Sequence, residues 1–181
     1  PFLWMISTSF KLPTEAIKVP PEWIPSPFVL DNYASLFTSP ILPFTSFVLN
    51  SIKIAAIVVV GRLFFCSLAG YGFARLEFPG RDTAFTILLT SMMIPSMVTI
   101  FPLYLMYSRI GWIDTHWPLT VPMILANTFG TFLMRQFMMT IPKELEDAAI
   151  VDGANHFGVF WRIMLPLCQP VLATLAIFTF M

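Results

Sequence analysis

The side chains able to do chemistry in this sequence of 181 residues are few, and nearly all stand outside its apolar runs. Glu15, Glu22, Asp31, Glu77, Asp82, Asp114, Glu144, Glu146, Asp147 and Asp152 all fall in loops. His116 and His156 lack any ligand-spaced partner, so each reads as an interfacial polar residue. Cys66 and Cys168 lie singly in apolar runs, which excludes a disulfide framework and a Cys-based zinc site. No G-x-x-x-x-G-K-[ST], H-E-x-x-H or G-x-S-x-G occurs. An intramembrane hydrolase therefore lacks its nucleophile and base. A proton-coupled carrier lacks the intramembrane acids such proteins use. One charge breaks the pattern, Arg62, halfway along an apolar run.

The densest polar grouping lies in Ile141 to Pro166, IPKELEDAAIVDGANHFGVFWRIMLP. Pro142 suits a first helical position, and Glu144, Glu146 and Asp147 in the first turns complement the helix dipole. Leu145, Ala148, Ala149 and Asp152 follow at i, i+3, i+4 and i+7, which predicts one stripe of mostly small residues. Gly153 ends the helix, since glycine takes a positive φ at low cost. Phe157, Phe160, Trp161, Met164 and Leu165 then predict an amphipathic helix lying on the membrane surface, broken by Pro166. The expected picture is a short helix whose narrow face another protein grips.

The elements that position these residues are membrane helices. Hydrophobic residues make up 57% and charged ones 11%, the mean hydropathy is +0.79 and the formal net charge is zero. An ordinary soluble domain carries about 25% charged residues. A neutral chain also lacks the basic stripe that nucleic acid calls for. A spanning helix needs about 20 apolar residues. Ile54–Ala74, Thr83–Ser108, Thr115–Met134 and Ile163–Met181 meet or approach that length, and residues 1–10 read as the tail of a further span. The expected fold is an all-α integral membrane domain with about four to five spans. Pro95 and Pro102 kink or break the Thr83–Ser108 run. Pro13, Pro20, Pro21, Pro25, Pro27, Pro40 and Pro43 make residues 11–47 a loop, with Asp31 capping a short helical insert, DNYASLF. Gly61, Ala69, Gly70 and Gly72 suit close helix packing. Arg75 and Arg81 in one loop, and Arg135, Lys143 and Arg162 in another, outnumber Arg109 between them. Residues 75–82 and 141–162 are therefore expected in the cytoplasm, with 11–47 and 109–114 outside.

The 141–166 loop resembles the "EAA" signature of binding-protein-dependent ABC transporter permeases, E-A-A-x-x-x-G-x9-I-x-L-P. Asp147, Ala148, Ala149, Gly153, Ile163, Leu165 and Pro166 fall at its spacing, with Asp147 in place of the Glu. NYASLF, NSIKIA, AGYGFARLEFPGRD, MIPSMVTIFPLYLMYSRIGWIDT and TFLMRQFMMTIPKELEDAA extend the likeness to the carbohydrate-uptake branch, with the maltose-permease-like subunit as the nearest type. Against that six-span pattern the chain is incomplete at both ends.

The resemblance implies a multi-pass subunit of a bacterial-type inner membrane that forms half of a sugar pathway and is not itself an enzyme. Its partners would be a second permease subunit, two ATP-binding subunits carrying ATP and Mg, and an extracytoplasmic solute-binding protein. The solute would be a small sugar or oligosaccharide, and lipid would surround the spans. Glu144 and Asp152 join the signature residues in the expected coupling loop. Arg62 is expected to bond freed helix carbonyls or a neighbouring subunit, and no aromatic is assigned to substrate. The runner-up solute is an amino acid or a polyol phosphate.

Overall fold

The computed structural model describes residues 1–39 and 41–181; Pro40, one of the prolines of the 11–47 loop, lies outside the described residues. Helices account for most of the chain, and no strand occurs among the described residues. In order they are α1 (Phe2–Ser9), α2 (Pro13–Ala16), α3 (Asp31–Thr38), α4 (Phe44–Arg75), α5 (Arg81–Thr90), α6 (Ser96–Arg109), α7 (Trp117–Leu125), α8 (Thr128–Thr140), α9 (Glu144–Val151), α10 (His156–Val159), α11 (Leu165–Leu167) and α12 (Gln169–Phe180). A 3-10 turn, Ser91–Met93, follows α5, and a π-helical turn, Phe160–Met164, joins α10 to α11. The chain divides into two units, Pro1–Ile52 and Lys53–Met181, and the division falls inside α4.

In the first unit the prolines leave few backbone ladders, so aromatic side chains and amide bonds hold the loop. Trp4 meets Trp23 edge-on at 5.1 Å, and Phe10 stacks on Phe28 at 4.4 Å. Lys11 is buried with its ammonium 4.2 Å from the centre of the Trp4 ring, and it donates to the Glu22 carbonyl. Such a cation over an indole face is attracted by the ring quadrupole. Asn32 Nδ2 donates to the carbonyls of Ser9 and Lys11, which anchors α3. Asp31 does not cap that helix. Leu30 is the N-cap and Asp31 is the first helical residue, where its charge favours the dipole without a capping bond.

Helix α4, with 32 residues, begins ten residues before the expected Ile54. The Pro43 carbonyl accepts from Phe47, so the proline stands just ahead of the helix, and Phe44–Ser51 holds no breaker. Among the described residues α4 is the one helix long and apolar enough to cross a membrane unaided, or one of three if each bent pair counts as a span. Arg81–Met93 and Ser96–Arg109 form one such pair, bent by 98°. Pro95 forces this break, because the residue before a proline is driven out of the helical region and Ile94 is extended. Pro102 stays inside α6. The expected Thr115–Met134 span is instead two helices parted at Ala126 and Asn127.

The segment after Gly153 also departs from expectation. Phe160 and Met164 are buried, but Phe157 and Trp161 are exposed, so the predicted apolar stripe is divided. Phe160 and Met164, one pair at i and i+4, turn inward onto Tyr71 and the core, while Phe157 and Trp161, the other such pair, stack on each other at the surface. Pro166 lies in the first turn of α11 and breaks nothing. The 76° bend comes at Cys168, where the Pro170 ring obstructs continuation from the carbonyl four residues earlier.

The core of the second unit gathers Cys66 and Tyr71 of α4, Met134 and Met138 of α8, Ala149, Phe160, Met164, Cys168 and Leu175. Helices α4 and α8 approach closely at Gly70, where an added Cβ would lie 2.7 Å from Met134 Cβ and 3.0 Å from the Arg135 nitrogen. Gly61 has a similar crowding against Ile124, but Gly72 faces open space and is not a packing glycine. Large apolar side chains such as Met93, Met97 and Phe101 stand exposed, as suits a surface facing lipid or another subunit.

Candidate functional site

Helix α9 starts at Glu144, two residues later than Pro142 suggests, with Lys143 as N-cap. Glu144, Glu146 and Asp147 then occupy its positive end. Gly153 has φ +87°, and its amide donates to Ile150 O while Ala154 N donates to Ala149 O at 2.9 Å. That pair of bonds is a Schellman motif, which satisfies two carbonyls the helix end would leave bare. A substitution with a Cβ meets no neighbour there, so its cost would be conformational alone.

The two sides of α9 differ in kind. Glu144, Leu145, Asp147, Ala148, Ile150, Val151 and Asp152 are exposed. Glu146 and Ala149, three residues apart, are buried against the chain itself. Ala149 therefore belongs to the inner face, not to the expected stripe with Ala148. Ile163 and Leu165 likewise pack against the core and do not join the exposed face of α9, while Pro166 is exposed. The signature residues are thus split between a projecting surface and the packing beneath it.

Glu146, Tyr71 and Arg75 make the buried polar group that sequence reasoning missed. The Tyr71 hydroxyl donates to Glu146 Oε1 at 2.8 Å. Arg75 Nε lies 3.7 Å from Glu146 Oε2, within ion-pair range but too long for a hydrogen bond. Side-chain exposures of 9% for Arg75 and 5% for Glu146 place both charges out of water. Arg75 Nη2 also donates to Met138 O at 2.7 Å and to Ile141 O, beside the C-terminus of α8. Those carbonyls are the negative end of α8, where a guanidinium is favoured. The available signal was Glu146 at i−3 from Ala149, with Tyr71 and Arg75 at i and i+4 on α4. A groove of about 570 Å³ opens beside this group, lined by Glu77, Lys143, Asp147 and His156 among others.

A second polar region lies where the helices break. Arg62 Nε donates at 2.6 Å to the Met123 carbonyl, which the end of α7 frees. Asn127 caps α8 by accepting from Gly130 N, and Ser91 Oγ and Thr128 Oγ1 stand 3.0 Å apart. Those hydroxyls tie the end of α5 to the start of α8 across an open crevice of about 570 Å³, whose lining includes Ile94, Ser96 and Thr99. Among the described residues no group of three His, Cys, Asp or Glu is arranged to hold a metal.

Comparison with known proteins bears on the family and the fold. A family model described as the binding-protein-dependent transport system inner membrane component matches residues 63–181. The arabinooligosaccharides transport system permease protein AraQ of Halalkalibacterium halodurans is 37% identical over 179 residues, covering 98% of this chain and 63% of its own. The sn-glycerol-3-phosphate transport system permease protein UgpE of Yersinia enterocolitica is 34% identical over 171 residues, covering 92% and 60%. The chain spans about three fifths of the length of such relatives. A solved bacterial ABC transporter involved in the import of the acidic polysaccharide alginate superposes with a TM-score of 0.86 at 23% identity, covering 99% of this chain and 62% of that one, a likeness of fold. The chain belongs to the family of binding-protein-dependent transport system inner membrane components.

Proposed function

We propose that the chain is a multi-pass permease subunit of an ATP-driven, solute-binding-protein-dependent sugar importer. It supplies half of the pathway and engages an ATP-binding subunit through α9. The observation that carries this reading is the construction of α9, a short helix fixed on its inner face and exposed on the other. The EAA spacing supports it, as does AraQ, a relative whose name assigns it to arabinooligosaccharide transport. The partners are a second permease subunit, two ATP-binding subunits that carry ATP and Mg, and an extracytoplasmic binding protein. Residues 141–162 face the cytoplasm and 11–47 the outside, in accord with the Lys and Arg bias.

In this reading, closure of the ATP-binding subunits displaces α9, and the permease pair rocks between its two packings as rigid bodies. The chain hydrolyses nothing. The broken helices α5–α6 and α7–α8 leave hydroxyl and amide groups along an open crevice, where a polar solute is better accommodated than against unbroken apolar helices. Reconstitution of the complete transporter tests the assignment. Ala148→Glu, on the exposed side, should leave membrane insertion intact, release the ATP-binding subunits and abolish uptake of arabinooligosaccharide or maltodextrin. Uptake of glycerol phosphate alone by the unaltered transporter would overturn the sugar assignment. Full ATPase retention and transport by Ala148→Glu would overturn the coupling role.

A further inference from the structure

We infer that Tyr71, Arg75 and Glu146 form the joint that makes α9 move with α4 and α8 as one rigid body, an inference that rests on the coupling role proposed for α9. Helix α9 has eight residues and hangs between two turns, residues 141–143 and 152–155, so its connections alone would let it rock. Three helices meet in the polar group instead. Arg75 is the last residue of α4, Glu146 is the third of α9, and the carbonyls of Met138 and Ile141 lie at the end of α8. The Tyr71 ring also packs on Phe160 at 5.4 Å, which draws the π turn into the same contact.

The chemistry of the joint explains its stiffness. Separating Arg75 from Glu146 would leave two buried charges unpaired, a far larger penalty than losing the apolar contact of Ala149. The tyrosine bond then fixes which carboxylate oxygen faces which partner. Among the described residues the other two ion pairs, Lys18–Glu22 and Arg81–Asp82, are much more exposed and join residues close in sequence. The one buried pair thus stands where α9 meets the rest of the chain, and Tyr71, Arg75 and Glu146 act as positioning residues.

The complete transporter in lipid nanodiscs, with nitroxides on the exposed positions Val60 of α4 and Lys143 before α9, provides the test. In the unaltered joint, the distance between labels should stay constant within about 2 Å, a packed-helix shift, between nucleotide-free and ATP-trapped states. Tyr71→Phe removes one hydroxyl and Glu146→Gln removes the charge. Each should keep the ATP-binding subunits bound and still hydrolysing ATP, broaden the distance distribution, and lower uptake at least tenfold. If Glu146→Gln fails to assemble, Tyr71→Phe alone decides. A distance in the unaltered joint that changes by half a helical turn with nucleotide would overturn the joint, as would wild-type uptake in Tyr71→Phe. ATP-binding subunits that dock away from α9 would overturn the coupling role instead, and the constancy of the same distance would still decide the joint.

Discussion

The two polar regions of the second unit are built from different chemistry. Beside α9 the groups are ionic and withdrawn from water, with Arg75 and Glu146 both under a tenth exposed. At the helix breaks the groups are mostly neutral, namely Ser91, Asn127 and Thr128, and they border an open crevice. The single charge there, Arg62, is only half-buried and bonds a backbone carbonyl, not an acid. A buried ion pair tolerates little displacement, because each ion depends on the other to offset its lost hydration. Neutral hydroxyls beside an open crevice exchange partners with water at low cost. In the function proposed above, one region would hold position and the other would let a polar solute pass.

Breaking the ionic region should have the largest effect. Arg75→Met leaves Glu146 buried beside no cation and should destabilise the purified protein by about 3–5 kcal/mol, read from thermal unfolding in detergent. The double variant Arg75→Met with Glu146→Leu removes both charges and should recover most of that loss. If the double variant is as unstable as the single one, the penalty is lost packing and the contrast between the regions weakens. Arg62→Leu should cost less, about 1.5–3 kcal/mol for a charge-assisted bond, and should leave the choice of solute unchanged. Altered solute selection in that variant would move Arg62 from supporting the α7–α8 break to lining the path.

Much of this contrast was hidden in the sequence. Gly153 and the acidic first turn of α9 were legible because a left-handed glycine and charges near a helix start are local properties, although the start itself lies at Glu144 and not at Pro142. The apolar run of α4 was legible for the same reason. Glu146 was not, since its partners Tyr71 and Arg75 lie more than seventy residues away and only the fold brings them together. Proline chemistry was readable only as a set of alternatives. Pro95 breaks the helix and Pro102 does not, while Pro170 does what was expected of Pro166. The division of the Phe157–Leu165 stripe could not be seen either, since Phe160 is drawn inward by Tyr71, nearly ninety residues earlier in the chain.

The smallest effect belongs to the first unit and calibrates the rest. Glu22 accepts a hydrogen bond from Lys18, and this bond together with the adjacent charge lowers its carboxyl pKa. A lowered carboxylate contributes stability above its unfolded pKa and loses it as the pH falls through its folded value. Both partners are about half exposed, so solvent screens the pair. Glu22→Gln should leave the melting temperature unchanged at pH 7. A clear loss there would mean that an exposed pair is worth as much as a buried one, which would undercut the argument from Arg75 and Glu146.

The two-sidedness of α9 is tested most directly at its adjacent alanines. A small diazirine side chain is placed at position 148 or at position 149 in the complete transporter and irradiated in membranes. Ala148 is exposed and Ala149 is buried, so crosslinks to the ATP-binding subunit should form from 148, while 149 should link only to this chain's own core. Equal capture of the ATP-binding subunit from both positions, or capture from 149 alone, would contradict a helix held by its inner face and gripped by its outer one.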